Sequence, residues 1–143
     1  MEFIEYAACY KYQLLANYRI ITAIKPPNEC KLEFIQLLTD GSLTILEGYA
    51  WDGATGPVAN TPSVMRGSVV HDSLYQLMRE GLLDYKVFRP MADQLLHDIC
   101  VEDGMNKAYA WIILKAVSGF GKIFADPKRK NPPIYAPKKP EAF

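Results

Sequence analysis

The sequence predicts an α+β domain in which a small N-terminal antiparallel sheet precedes three helices. Before Gly48, short runs rich in Ile, Phe and Leu alternate with turn residues, which is typical of strands. After Gly48, apolar residues recur at intervals of three and four, the spacing of amphipathic helices. The chain has 143 residues, of which 50% are hydrophobic and 22% charged, so it can build one domain with its own core.

The strands are predicted at residues 18–24, 32–38 and 43–46. Pro26 and Pro27 separate the first two runs, because proline interrupts sheet pairing. Asp40-Gly41 lies between the last two runs and supplies the positive φ that a short hairpin requires. We therefore expect an antiparallel hairpin that ends near Gly48.

The helices are predicted at residues 64–80, at about 90–103 and at 105–124. Gly81 and Gly104 are natural ends for the first two helices. Pro90 suits the first turn of the second helix, where its missing N–H costs nothing. Residues 1–125 are predicted to form this single domain.

Residues 126–143 differ in composition from the rest of the chain. They contain five of the ten prolines, and their five basic residues outnumber two acidic ones. Prolines at this density cannot continue a helix or enter the interior of a sheet. The segment is predicted to be an extended tail, either disordered or held along a partner through Ile134 and Tyr135.

Charge and cysteine content exclude several classes of protein. The 16 basic residues are balanced by 16 acidic ones, which argues against a nucleic-acid partner held by phosphate neutralisation. Apolar runs fall short of the roughly 18 residues of a transmembrane segment, and charges within residues 1–15 argue against a signal peptide. The three cysteines form no C-x-x-C pair, so we expect buried thiols. The alternative, in an oxidising compartment, is one disulfide bond.

Both histidines of the chain are followed by aspartate, and the first pair, His71-Asp72, lies on the first predicted helix. Tyr75 is four residues after His71 and shares its helix face. Asp93 of the second helix could hold one imidazole nitrogen and leave the other to take a proton from water, as in a hydrolytic dyad. The structural alternative is a buried imidazole that only fixes the packing of two helices.

Several motifs, spread over about residues 45 to 121, resemble a family of uncharacterised phage and prophage proteins (domain of unknown function 1353). The recurring pattern of that family is D-[GF]-A-S-x-P, H-D-x-L-Y and A-D. The corresponding strings here are Trp51-Asp52-Gly53-Ala54-Thr55-x-Pro57, His71-Asp72-x-x-Tyr75, Ala92-Asp93 and Val117-Ser118-Gly119-Phe120-Gly121. The resemblance implies a phage protein located in the host cytoplasm or the virion, and it brings no established activity.

The same residues are more distantly similar to phospholipase A(2), above all to the short version in parvovirus capsid proteins. The resemblance implies that His71 activates a water, that Asp93 orients His71, and that Tyr75 hydrogen-bonds Asp93. It also implies a calcium cofactor and a phospholipid or other ester as substrate. The calcium ligands would be Asp72 and carbonyl oxygens of the 51–57 loop, including those of Gly53 and Gly56.

Departures from the phospholipase pattern leave other metal sites open. The glycine-rich calcium loop is missing, and Asp52 places a carboxylate where the pattern has carbonyl oxygens. A site for another divalent metal could instead use Asp52, Asp72 and Asp93, with or without His71. The order His71, His97-Asp98, Asp126 also matches metal-dependent phosphohydrolases, but their fold needs a larger all-helical bundle, which disfavours this reading.

Two functions are therefore predicted. The first is a phage-encoded hydrolase that uses the His71–Asp93 dyad on an ester. The second is a non-catalytic virion or tail-associated protein that binds phage structural proteins through residues 126–143, since edge strands and extended tails can join larger assemblies.

Overall fold

A computed structural model describes residues 4–6, 12–54, 61–125 and 134–136. Within these residues, small antiparallel sheets and three helices confirm the predicted α+β class. In chain order the elements are β1 (Ile4–Tyr6), β2 (Tyr12–Gln13), β3 (Tyr18–Ile21), β4 (Cys30–Lys31), β5 (Ile35–Leu37), β6 (Ser42–Ile45), β7 (Ala50–Trp51), α1 (Pro62–Arg79), α2 (Tyr85–Glu102), α3 (Lys107–Ala125) and β8 (Ile134–Ala136).

The largest sheet has the strand order β3-β6-β5-β4, with all neighbours antiparallel. The predicted hairpin joins β5 to β6. Its turn is held by the Ser42 amide, which donates to the Asp40 carboxylate at 2.9 Å. Gly41 adopts a φ of +92°, and a Cβ there would overlap the carbonyl oxygen of Thr22, so the turn requires glycine.

Two of the predicted strands are shorter than the apolar runs indicated. Residues 32–38 do not form one strand, because the Leu32 amide donates to the Ile35 carbonyl at 2.8 Å and closes a turn between β4 and β5. The first predicted strand, now β3, ends at Ile21. Just after it, the Thr22 hydroxyl donates to the Gly41 carbonyl and accepts a hydrogen bond from the Ile24 amide. The Ile24 amide is therefore satisfied by a local side-chain bond rather than by a neighbouring strand.

The second helix begins five residues earlier than predicted, and the placement of Pro90 in its first turn is wrong. Asp84 is the N-cap and accepts a hydrogen bond from the Lys86 amide at 3.0 Å. This cap starts the helix at Tyr85 and leaves Pro90 inside it. Because proline has no N–H, it cannot bond the Lys86 carbonyl four residues back.

The sheet packs against α1 and α2. Ile35, Leu37, Leu43 and Ile45 are fully buried against the apolar face of α1, which includes Leu74. A second cluster joins all three helices and consists of Val64, Leu96, Cys100, Met105, Ala110 and Ile113. The buried face of α1 thus lies between the sheet and α2, and His71 is on that face.

Part of the predicted tail forms a strand. β8 pairs with β1 in antiparallel register, with Ile4 opposite Ala136 and Tyr6 opposite Ile134. Residues 126–133 and 137–143 lie outside the described residues, so the extended-tail prediction for them stays a prediction.

The two cysteines in the described part of the chain are buried free thiols, as predicted. The Cys30 thiol donates to the Leu82 carbonyl at 3.1 Å, and burial raises its pKa. Burial raises the pKa of Cys100 to about 11. Both thiols therefore stay protonated near neutral pH. Cys9 lies outside the described residues.

Candidate active site

A hydrogen bond between His71 and Asp93 is the centre of the site. Nε2 of His71, on α1, lies 2.8 Å from Oδ1 of Asp93, on α2. The carboxylate is completely buried and the histidine is only 4% exposed. A buried carboxylate needs polar partners, because burying an unpaired charge costs several kcal/mol, on the order of its desolvation penalty.

Tyr75 supplies a second partner to the same carboxylate oxygen. Its hydroxyl donates to Oδ1 of Asp93 at 2.5 Å, and its ring lies 4.1 Å from the imidazole, centre to centre. Burial, together with the neighbouring Asp93, raises the pKa of Tyr75, so the phenol remains a proton donor. The structure thus brings together the three side chains that the sequence named as catalytic.

The other oxygen of Asp93 faces two residues for which the sequence predicted no role. Nη1 of Arg89 lies 3.4 Å from Oδ2, and the hydroxyl of Ser118, on α3, lies 3.5 Å from it. Arg89 also donates to the Ser118 carbonyl at 3.2 Å. The i, i+4 spacing of Arg89 and Asp93 predicts an ion pair between them when both residues are placed on one helix. Asp93 thereby connects all three helices.

The second imidazole nitrogen of His71 lies near another carboxylate, and a small pocket lies beside both residues. Nδ1 lies 3.9 Å from Oδ1 of Asp72, whose side chain is 28% exposed. Beside them is a pocket of about 10 Å³ lined by Ala54, Val64, Ser68, His71, Asp72, Leu96, Ile113 and Val117. A space of this size holds one water molecule. His71 is therefore bound to Asp93 through one nitrogen, and its ring also lines a pocket that is at the lower size limit for one water molecule.

The start of the loop after β7 is fixed beside α1. The indole N–H of Trp51 donates to the Ser68 hydroxyl at 3.0 Å, and that hydroxyl donates to the Met65 carbonyl at 2.8 Å. Gly53 then turns the chain with a φ of +85°, and Ala54 reaches the pocket next to His71. The predicted loop and the predicted helix thus meet at the pocket.

The predicted metal ligands are only partly in place. Asp72 borders the pocket, Asp52 is exposed, Gly53 is buried, and Gly56 lies outside the described residues. Among the residues that are described, no group of three or more His, Cys, Asp or Glu side chains is placed to hold a metal ion. Calcium prefers six to eight oxygen ligands, so Asp72 would need carbonyl oxygens to complete a site.

Asp93 does not fit the alternative metal site that groups it with Asp52 and Asp72. Its Oδ1 faces His71 and Tyr75, and its Oδ2 faces Arg89 and Ser118. A carboxylate enclosed in this way has no lone pair left for a cation, which separates its role from that of Asp72.

The two aspartates beside His71 favour its charged form. Burial by itself lowers the pKa of His71, but the nearby carboxylates of Asp72 and Asp93 outweigh burial, so its pKa lies above the ordinary 6.5. The imidazolium therefore stabilises the folded chain fully below the unfolded-state pKa. This contribution is lost as the pH rises through the higher folded-state pKa.

We expect the Asp72→Asn substitution to lower the pKa of His71, because it removes one of the two charges that raise it. The measurement is an NMR titration of the imidazole resonances in chelator-treated buffer, with Asp98→Asn as the control. In parallel, the free energy of unfolding of the parent should fall as the pH rises above about 6.5, and less so in Asp72→Asn. An unchanged His71 titration in Asp72→Asn would contradict the assigned cause.

The second histidine belongs to a separate surface cluster on α2. Nδ1 of His97 lies 2.9 Å from Oδ1 of Asp98 and 3.3 Å from the Gln94 amide nitrogen. His97 therefore pairs with its own neighbour rather than with Asp93. Asp126, the last residue of the phosphohydrolase order, lies outside the described residues.

None of the described helices is long and apolar enough to cross a membrane. No protein-family model matches this sequence, and no curated protein or solved structure matches it either. The resemblances to phage proteins and to phospholipase A(2) therefore depend on the motifs quoted above and remain proposals.

Proposed function

We propose that the chain is a small phage-encoded hydrolase that cleaves a phospholipid-like ester with the His71–Asp93 dyad. The observation that carries the proposal is the environment of His71: Nε2 lies 2.8 Å from Asp93, and the imidazole, together with Asp72, lines a small pocket. This is the arrangement of a base and its orienting carboxylate.

In the proposed reaction, Nδ1 of His71 takes a proton from the water in the pocket while the water oxygen attacks the ester carbonyl. The resulting imidazolium is stabilised by Asp93 and later returns the proton to the leaving alcohol oxygen. Tyr75 and Arg89 hold the Asp93 carboxylate in place, since both contact it. All atoms of the water end in the released acid and alcohol.

Calcium is the metal we propose, with Asp72 as its carboxylate ligand and loop carbonyl oxygens as further ligands. When bound, it supplies positive charge that polarises the ester carbonyl and offsets the charge with which Asp72 raises the pKa of His71. The second effect favours the neutral imidazole, which is the form that accepts a proton. Other divalent metals with oxygen ligands fit the same description.

The test is fatty-acid release from mixed phospholipid liposomes, with calcium and with a chelator. We expect the parent to be active with calcium, and the His71→Asn variant to lose a factor of about 10²–10⁴ in rate. The matched control is His97→Asn, the same substitution at the only other histidine, which should keep the parental rate. Circular dichroism and thermal unfolding should verify that both variants fold.

Because His71 is buried, Asp72→Asn serves as a second variant at a partly exposed position. We expect it to fold and to lose calcium-stimulated release. Activity that survives in His71→Asn, or a parent that releases no fatty acid under either condition, would overturn the proposal.

A second candidate function is a non-catalytic phage structural or binding protein. The observation that favours it is the tight enclosure of His71, which is 4% exposed beside a pocket of only about 10 Å³. In that case the His71–Asp93 contact only fixes the two helices. The expected result is then a stability loss in His71→Asn with no hydrolysis by the parent.

A further inference from the structure

One face of α3 exposes large apolar side chains. Tyr109, Trp111 and Ile112 are 39%, 55% and 56% exposed, whereas Ala110 and Ile113 on the opposite side are buried in the core. At 100° per residue, the outward face spans an arc of roughly 160° from Trp111 to Tyr109. Up to residue 119, the other residues of α3 on that arc are Ala108, Lys115, Ala116 and Gly119.

The charge on this helix has a single sign. α3 contains Lys107, Lys115 and Lys122 and no acidic residue. The ammonium group of Lys115 lies 5.3 Å from the centre of the Trp111 ring, so an aromatic group and a positive charge are presented together.

The acidic residues just before α3 are paired elsewhere. Arg66 of α1 binds Asp103 at 2.8 Å and Glu102 at 3.3 Å. These ion pairs offset the negative charge at the start of the helix. An anionic surface approaching α3 would therefore meet lysines rather than free carboxylates.

We infer that the outward face of α3 binds the surface of an anionic phospholipid bilayer. Trp and Tyr side chains favour the headgroup region, where an apolar ring and a polar edge are both satisfied. Lysine is attracted to anionic headgroups, and an apolar helix face lies in the interface plane without crossing it. The single-signed charge of α3 favours this occupant over a second copy of the same positive face.

The opposite side of the same helix reaches the candidate active site. Ile113 and Val117 line the pocket beside His71. A bilayer on the outward face would thus lie within about 10 Å, one helix diameter, of the pocket. The substrate assignment rests on the proposed function, whereas bilayer binding itself requires no hydrolysis.

The experiment is co-sedimentation of the full chain with vesicles of phosphatidylcholine, alone and mixed with phosphatidylglycerol. We expect binding to the mixed vesicles that weakens with added salt. Lys115→Glu should weaken it about 30-fold, since a lysine near an anionic surface contributes about 1 kcal/mol and charge reversal doubles the change. Ile112→Ala should weaken it about tenfold, because it removes apolar atoms from the contact with the bilayer. Brominated lipid should quench the parent's fluorescence more than that of Trp111→Phe, because the other tryptophan, Trp51, is buried.

Matched controls come from the strand side of the molecule. Leu15→Ala replaces an aliphatic side chain that is 85% exposed, and Lys31→Glu reverses an exposed lysine. Both should bind vesicles like the parent, and so should His71→Asn, which separates binding from catalysis. Equal binding by Ile112→Ala, Lys115→Glu and the parent would overturn the inference. So would a chain that ignores vesicles and instead dimerises or binds an acidic protein through α3.

Discussion

Replacing Asp93 with alanine is expected to lower the free energy of unfolding by about 3–5 kcal/mol. The carboxylate is completely buried and contacts side chains from three helices, namely His71, Tyr75, Arg89 and Ser118. Its removal leaves a buried phenol and imidazole without their acceptor and a guanidinium without its ion pair. The cost therefore comes mainly from the partners left unsatisfied, not from the lost contacts alone.

Equilibrium unfolding in urea measures the effect, with Asp98→Ala as the matched control. Asp98 is on the same helix, but its side chain is 60% exposed, so its loss should change stability by less than about 1 kcal/mol. The loss in free energy of unfolding for Asp93→Asn should lie between those of Asp93→Ala and Asp98→Ala. The amide oxygen can still accept a hydrogen bond, whereas the NH₂ group would face a donor. A cost for Asp93→Ala no larger than for Asp98→Ala would mean that the network does not stabilise the helices.

The helical half of the fold was more predictable than the sheet, for a physical reason. Helix periodicity is local, and a glycine such as Gly81, with a φ of +76°, marks an end within a few residues. The pairs β2–β7 and β1–β8 join residues far apart in sequence through strands of two or three residues. Such short strands show no alternation, so their pairing depends on the tertiary fold alone.

Pro90 shows how one local rule can override another. Proline is favoured in a first helical turn, yet Asp84 caps the helix and starts it at Tyr85. The earlier start is what gives Arg89 a helical position, four residues before Asp93 and within 3.4 Å of its carboxylate. The misplaced helix boundary and the missed role of Arg89 therefore share one cause.

The candidate site was predictable where its members share a helix face or a motif. His71 and Tyr75 are four residues apart, and Asp93 was the acidic residue of a quoted motif. Ser118 was not predictable as a partner, because its contact with Asp93 depends on how α3 crosses α2. The closure of the pocket around His71 also depends on packing, which residue patterns do not describe.

Gly67 lies at the contact between α1 and α2, one helical turn before His71. A Cβ at this position would lie 2.9 Å from Cδ1 of Leu96, 3.2 Å from the Cys100 sulfur and 3.4 Å from the Leu96 carbonyl oxygen. The Leu96 methyl group can move, so Gly67→Ala should be tolerated. Gly67→Leu places further atoms against the α2 backbone and is expected to cost about 3 kcal/mol.

Gly119→Leu is the matched control, because a Cβ there meets no atom within 4 Å. The same substitution in α3 should leave stability unchanged or raise it by about 0.5–1 kcal/mol, since leucine favours helix more than glycine does. Urea unfolding gives both values, and an NMR titration of His71 reports on the site. If Gly67 sets the spacing, Gly67→Leu moves His71 away from Asp93 and lowers the imidazole pKa, whereas Gly119→Leu leaves it unchanged. Equal stability of the two variants would show that a larger side chain fits between α1 and α2. The 2.8 Å contact between His71 and Asp93 would then depend on the polar network and not on Gly67.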